Sequence, residues 1–186
     1  MKIEDIAVWS AFATALAGAA AVLAGLVFLA VSINIGRILA IAGLPGRAGE
    51  SVVFFLGVLV ECALVLVPRQ SAAALGIELL VSAGLTLAVL NAIAISAVGK
   101  PTRQPRSWRA YRLVRIQLAA APVLLSGLSL LGWAAGGLYW FAGGVLFAVI
   151  DATANAWVLL VEVVRDKRYR PVDDESDARS HGRPGS

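Results

Sequence analysis

The chain has one cysteine and one histidine in 186 residues, and only 15% of its residues are charged. Cys62 lies inside an apolar segment, so no intrachain disulfide is possible and the redox compartment is not readable. His181 lies beyond the last apolar segment, which removes axial histidine ligation of a haem and the histidine ligands of a membrane metalloprotease. A two-aspartate protease fails because Asp151 is the one aspartate within the apolar segments, and an intramembrane serine protease needs a serine with a positioned base that no motif here supplies. No catalytic, metal-binding or cofactor motif stands out, so the chain is expected to be nonenzymatic and to hold no cofactor. The scarcity of charge also excludes a soluble core protein. Apolar residues make up 59% of the chain, against about 45–50% in soluble domains, and the mean hydropathy is +0.81.

Five apolar segments fill most of the length, at residues 6–34, 52–67, 71–98, 116–132 and 138–164. A helix crosses a hydrocarbon core of about 30 Å with about 20 residues, so the expected fold is an all-α polytopic transmembrane bundle of five spans over residues 1–170. Residues 171–186, rich in Asp, Glu, Ser, Gly, Pro and Arg, are expected to form a disordered cytoplasmic tail. Near the N-terminus Lys2 stands against Glu4 and Asp5, unlike the positive start of a signal peptide, so the first segment reads as a retained helix. With the N-terminus outside and the C-terminus inside, fourteen of the sixteen Lys and Arg face inward, leaving only Lys2 and Arg69 outside. Trp9, Trp133, Tyr139 and Trp140 then fall at the outer interface, and Trp108, Tyr111 and Tyr169 at the inner one. The first helix is expected either to bend after Asn34 or to run along the inner interface before Pro45, Pro68-Arg69-Gln70 to make a tight outer turn, Pro122 to kink the fourth span, and Ser107 to cap a helix that begins near Trp108.

Small residues recur every four positions at Ala13, Ala17, Ala21 and Gly25, at Gly84, Ala88, Ala92 and Ser96, and at Gly144, Ala148, Ala152 and Ala156. Such stripes let backbones approach closely in lipid, so spans one, three and five are expected to form the centre. The second span, bulky from Val52 to Val60, is expected to face lipid over much of its surface.

Three carboxyl groups lie away from the ends of the apolar segments, Glu61, Glu78 and Asp151. An aspartate at mid-membrane costs about 2.5–3.5 kcal/mol on insertion scales, so each needs a partner or a purpose. Glu61 and Glu78 flank the outer turn symmetrically and should share one depth, about 10 Å below it at ~1.5 Å per residue. Two readings stand: a shared proton or cation, or plain satisfaction by snorkelling or by Arg69 folding back. Asp151 sits near mid-membrane with Asn155 on its face, while Glu162 is placed to meet Arg165. Asn34, Asn91 and Asn155 fall in the inner halves of spans one, three and five and are expected to form one polar layer with Asp151. Arg103, Arg106, Arg109, Arg112 and Arg115 recur every third position in the inner loop, where ordinary topogenic charge is the first reading and contact with anionic lipid headgroups the second. Basic residues beside membrane segments also argue against nucleic acid as a partner.

The runs Leu23-Ala24-Gly25-Leu26-Val27-Phe28-Leu29-Ala30-Val31-Ser32-Ile33-Asn34, Leu44-Pro45-Gly46-Arg47-Ala48 and Val67-Pro68-Arg69-Gln70 resemble a family of small bacterial membrane proteins, frequent in actinobacteria. Its members often carry the label of modulators of the FtsH membrane protease. The resemblance implies a bacterial cytoplasmic membrane location and carries over no catalytic residue.

The expected function is therefore that of an accessory or regulatory protein, with the bilayer, its anionic headgroups, and other membrane proteins or a second copy of the chain as partners. The alternative is a small proton- or cation-handling transporter or channel built on the intramembrane carboxyl groups. On sequence alone Asp151→Asn should impair function more than Glu61→Gln; a complementation assay in which both are tolerated equally would contradict this.

Overall fold

The computed structural model describes residues 8–40, 43–96 and 106–167. Among them are six helices and no strand: α1 (Ser10–Ile33), α2 (Ile35–Ala40), α3 (Leu44–Val65), α4 (Ala72–Ser96), α5 (Arg106–Leu130) and α6 (Leu138–Lys167). All but the short α2 are long and apolar enough to cross a membrane. The protein is thus an α-helical, multi-pass membrane protein, and the expected tail at 171–186 lies outside the described residues.

Local chemistry sets the helix ends. Asn34 leaves helical geometry at φ −111°, so the expected bend separates α1 from α2. Gly43 takes a left-handed conformation at φ 92°, which a side chain would resist, and Pro45 sits in the first turn of α3, where its missing N–H is not needed. That proline starts the span instead of preceding it, so α3 opens at Leu44, eight residues before the expected Val52. The turn at Pro68-Arg69-Gln70 forms, with Arg69 at φ 59°, and the Ser71 hydroxyl accepts the Ala74 N–H at 3.1 Å to cap α4. Helix α5 begins at Arg106, ten residues before the expected Ile116 and ahead of the expected start near Trp108, and continues through Pro122. The uncharged link to α6 is pinned by Ser129, whose hydroxyl donates to the Ala134 carbonyl at 3.0 Å and accepts the Gly137 N–H at 2.7 Å.

Helices α3, α4, α5 and α6 close into a ring in which each packs on the next, and α1 lies outside, chiefly against α3. This overturns the expected centre. Helix α3, expected as a lipid-facing arm, is the most buried span, with Phe54, Phe55, Val58, Cys62 and Val65 all inside. Bulk alone does not mark a lipid-facing helix, because a large side chain fills a ring as readily as it meets acyl chains. The three expected stripes also divide. Gly144, Ala148 and Ala152 of α6 do face inward, and a Cβ on Gly144 would lie 2.6 Å from Val123 Cγ2. Ala13 of α1 packs inside, whereas Ala21 and Gly25 point outward; in α4, Ala88 and Ala92 are exposed. The closest backbone approach uses two other glycines. A Cβ on Gly76 of α4 would lie 2.9 Å from the Gly127 carbonyl oxygen of α5, and one on Gly127 would lie 2.8 Å from that of Gly76.

One end of the bundle is aromatic. Trp9 meets Tyr139 edge-on at 5.0 Å, fastening the start of α1 to the start of α6, while Trp133 and Tyr139 are largely exposed, as interface aromatics should be. The opposite end carries the start of α3 and α5 and is here called the basic end. At the Gly76–Gly127 crossing, Gly127→Ala should force α4 and α5 apart and lower stability by about 1–3 kcal/mol. Gly18→Ala, on open surface, should have little effect; detergent-solubilised unfolding of both variants checks the contrast.

Candidate functional site

Two polar features lie inside the ring at different depths. The first is an ion-paired layer toward the basic end. Glu50 of α3 stands fifteen residues before Val65, Arg115 of α5 fifteen before Leu130, and Asp151 of α6 thirteen after Leu138. At ~1.5 Å per residue all three lie about 20 Å from the aromatic ends of their helices. Across the ring, Arg112 Nε donates to Glu50 Oε1 at 2.5 Å, joining α5 to α3. Arg115 Nε lies 2.8 Å from Asp151 Oδ1 and its Nη1 donates to Asn155 Oδ1 at 2.9 Å, joining α5 to α6. The contact to Asp151 is a charge contact off the N–H direction, while the bond to Asn155 is the directional one. The Ser51 hydroxyl donates to the Ala152 carbonyl at 3.3 Å, which sets the two pairs side by side and ties α3 to α6. Asp151 and Asn155 present one face because four residues make just over a helical turn.

Glu50 is 1% exposed and Asp151 8%. Charges so placed need opposite charges, and two of each sign leave the layer neutral. Four of its buried polar atoms, Asp151 Oδ2, Asn155 Nδ2, Arg112 Nη2 and Arg115 Nε, make no hydrogen bond to the described protein.

The second feature is Glu61 of α3, nearer the aromatic end. It is 5% exposed and makes no hydrogen bond or ion pair with any described residue. It faces a central cavity of about 20 Å³ lined from all four ring helices, by Phe54 and Val58, Thr86, Val123 and Ala148 among others. That volume holds one water molecule. Phe54 and Ala119, which also line it, stand four residues from Glu50 and Arg115, so the cavity floor is one helical turn above the ionic layer.

Several expectations are corrected by this geometry. Glu61 and Glu78 do not pair: the Glu78 carboxylate accepts from Gln70 Nε2 at the turn between α3 and α4, while Glu61 faces Thr86, two turns further along α4. The helices rotate the two carboxyl groups onto different faces, and it is Gln70, not Arg69, that covers Glu78. The asparagine layer does not form either. Asn34 donates to the Ala30 carbonyl of its own helix at 2.9 Å, Asn91 is partly exposed on α4, and only Asn155 joins Asp151. The arginine run divides as well. Arg112 and Arg115 turn into the ring instead of toward headgroups, since α5 begins early enough to carry both below its first two turns. Arg103 lies outside the described residues, as do the side chains of Arg106, Arg109, Glu162 and Arg165.

Glu50 was the residue that sequence reasoning missed. Its signal was the run Gly46-Arg47-Ala48-Gly49-Glu50-Ser51 after Pro45: small residues following a helix-starting proline, with a carboxyl group on the buried side.

Among the described residues no three His, Cys, Asp or Glu side chains gather as a metal ion would require. Comparison with protein-family models, with curated proteins and with solved structures finds no match. The ionic layer generates a test. Glu50→Ala leaves Arg112 uncompensated inside the ring and should cost about 3–5 kcal/mol. The double variant Glu50→Ala/Arg112→Ala should recover most of that loss in detergent unfolding; additive losses would show that the pair is not coupled.

Proposed function

We propose that this multi-pass membrane protein is a nonenzymatic accessory or regulatory protein that binds other membrane proteins through its outward helices. The observation that carries this reading is the unfilled small-residue surface of α1 and α4. A Cβ added at Gly18, Gly25 or Gly84 would meet nothing within 4 Å, so the protein's own fold leaves these backbones bare. Only 11% of the apolar stretch of α1 and 17% of that of α4 are buried, against 56% for α3. Between helices in lipid, association rests on close van der Waals contact over small residues, so a bare glycine-alanine surface suits a second helix better than acyl chains. The same reading places the protein in a bacterial cytoplasmic membrane with its N-terminus outside, following the charge bias and the resemblance of residues 23–70. Anionic headgroups remain partners for the basic residues that do not enter the ring.

A second reading, proton or cation handling, is favoured by one observation, the uncompensated Glu61 carboxyl at the cavity. The neutral ionic layer supports the first reading more strongly, because each of its charges is matched and its contacts hold the ring closed.

Crosslinking in native membranes followed by purification separates the readings. The first expects a stoichiometric membrane-protein neighbour, captured at least tenfold less by Gly18→Ile/Gly25→Ile at unchanged fold stability. A second copy of the chain as that neighbour would make the protein a homo-oligomer. A clean monomer with proton flux in proteoliposomes would overturn the accessory reading in favour of transport.

A further inference from the structure

We propose that Glu61 and the cavity it faces form an intramembrane proton-binding site, in which the carboxyl group holds a proton and shares it with one water molecule. The inference rests on the second functional reading for its purpose but not for its geometry, which stands whether or not protons cross the membrane.

Glu61 lies four residues before the end of α3, about 6 Å from that end along the axis. A helical side chain leans toward the N-terminus of its own helix, here toward the middle of the bundle, and this carries the carboxyl group into the cavity. From α3 the neighbouring titratable group is the Cys62 thiol. The wall residues contributed by α4, α5 and α6 carry no charge, and among them Thr86 has the one side-chain hydroxyl. Glu50, Asp151, Arg112 and Arg115 lie beyond the floor and balance one another in charge.

These surroundings select the ligand. A carboxylate in an apolar wall with no cation or donor against it is held as the neutral acid. Calcium takes six to eight oxygen ligands and magnesium an octahedral set, whereas the side chains here offer the Glu61 carboxyl and the Thr86 hydroxyl. A single water bridging those two groups has the polar partners that a buried water needs. Loading the site transfers one proton from hydronium to the carboxylate, leaving the neutral acid and a water molecule. Thr86 is only partly buried, so the cavity is least enclosed on its α4 side. The paired layer one turn below closes it toward the basic end.

The test is modification of the full-length protein in lipid vesicles with a lipid-soluble carbodiimide, mapped by mass spectrometry. A protonated carboxyl group adds across the carbodiimide carbon–nitrogen double bond, giving an O-acylisourea that rearranges to a stable N-acylurea with no group lost. Glu61 should be modified at neutral pH at least tenfold faster than Glu50 or Asp151, and a water-soluble carbodiimide should leave it largely untouched. Difference infrared spectra should contain a protonated-carboxyl carbonyl band at neutral pH that is missing in Glu61→Gln. Should Glu61→Gln fail to fold, Thr86→Val keeps the carboxyl group and removes its bridging partner, and should shift that band. No modification of Glu61, equal reaction with the water-soluble reagent, or a band unaltered by both variants would overturn the site. Modification and band as expected, but without proton flux, would leave the site standing and reject the transport reading alone.

Discussion

The cancellation of four charges inside a low-dielectric ring governs this structure. Glu50, Arg112, Arg115 and Asp151 come from three helices, and an uncompensated member of the set would be expensive at that depth. Each pair therefore determines where helices must stand. Glu50 with Arg112 spans the ring from α3 to α5, Arg115 with Asp151 joins α5 to α6, and the Ser51 bond to Ala152 completes the set. Apolar contact in lipid is nearly indifferent to how helices rotate, since acyl chains solvate Leu and Val as well as a neighbour does. The directional bonds of Arg112 to Glu50 and of Arg115 to Asn155 are not indifferent, and they choose one rotation for α5.

With that rotation chosen, close packing follows on the opposite side of α5. Gly127 meets Gly76 of α4 backbone to backbone, while Ala119 and Val123 receive Gly144 of α6. The large side chains Phe55, Leu79, Ile116 and Phe141 fill the remaining interior. Where α3, α4, α5 and α6 surround Glu61 the filling is incomplete, and the water-sized cavity is what remains. The ionic layer and the cavity are thus consequences of one arrangement, the first closing the basic end and the second left in the middle.

Much of the architecture was legible from the chain itself, because a bilayer demands about 20 apolar helical residues per span and the five segments meet that demand. The bend at Asn34, the turn at Arg69 and the partnership of Asp151 with Asn155 were also readable from local chemistry. Burial was not. Apolar bulk in α3 and small residues in α4 carry opposite meanings depending on which face meets a neighbour, and period alone does not name that neighbour. Hydropathy also misplaced the starts of α3 and α5. Averaging over apolar runs counts Glu50, Arg112 and Arg115 as loop charges, when their partners lie up to 62 residues away and admit them to the helix.

The separation of those partners along the chain bears on how the protein is made. Glu50 leaves the ribosome long before Arg112, and Asp151 later still, so the two ends of each ion pair are made far apart in time. Glu50 is thus the first of the four charges to be made, and its acid precedes both guanidinium groups of the layer. The arrival of α5 supplies both guanidinium groups at once. The ring's ionic closure is therefore a property of the complete chain, since it needs residues from α3, α5 and α6 together.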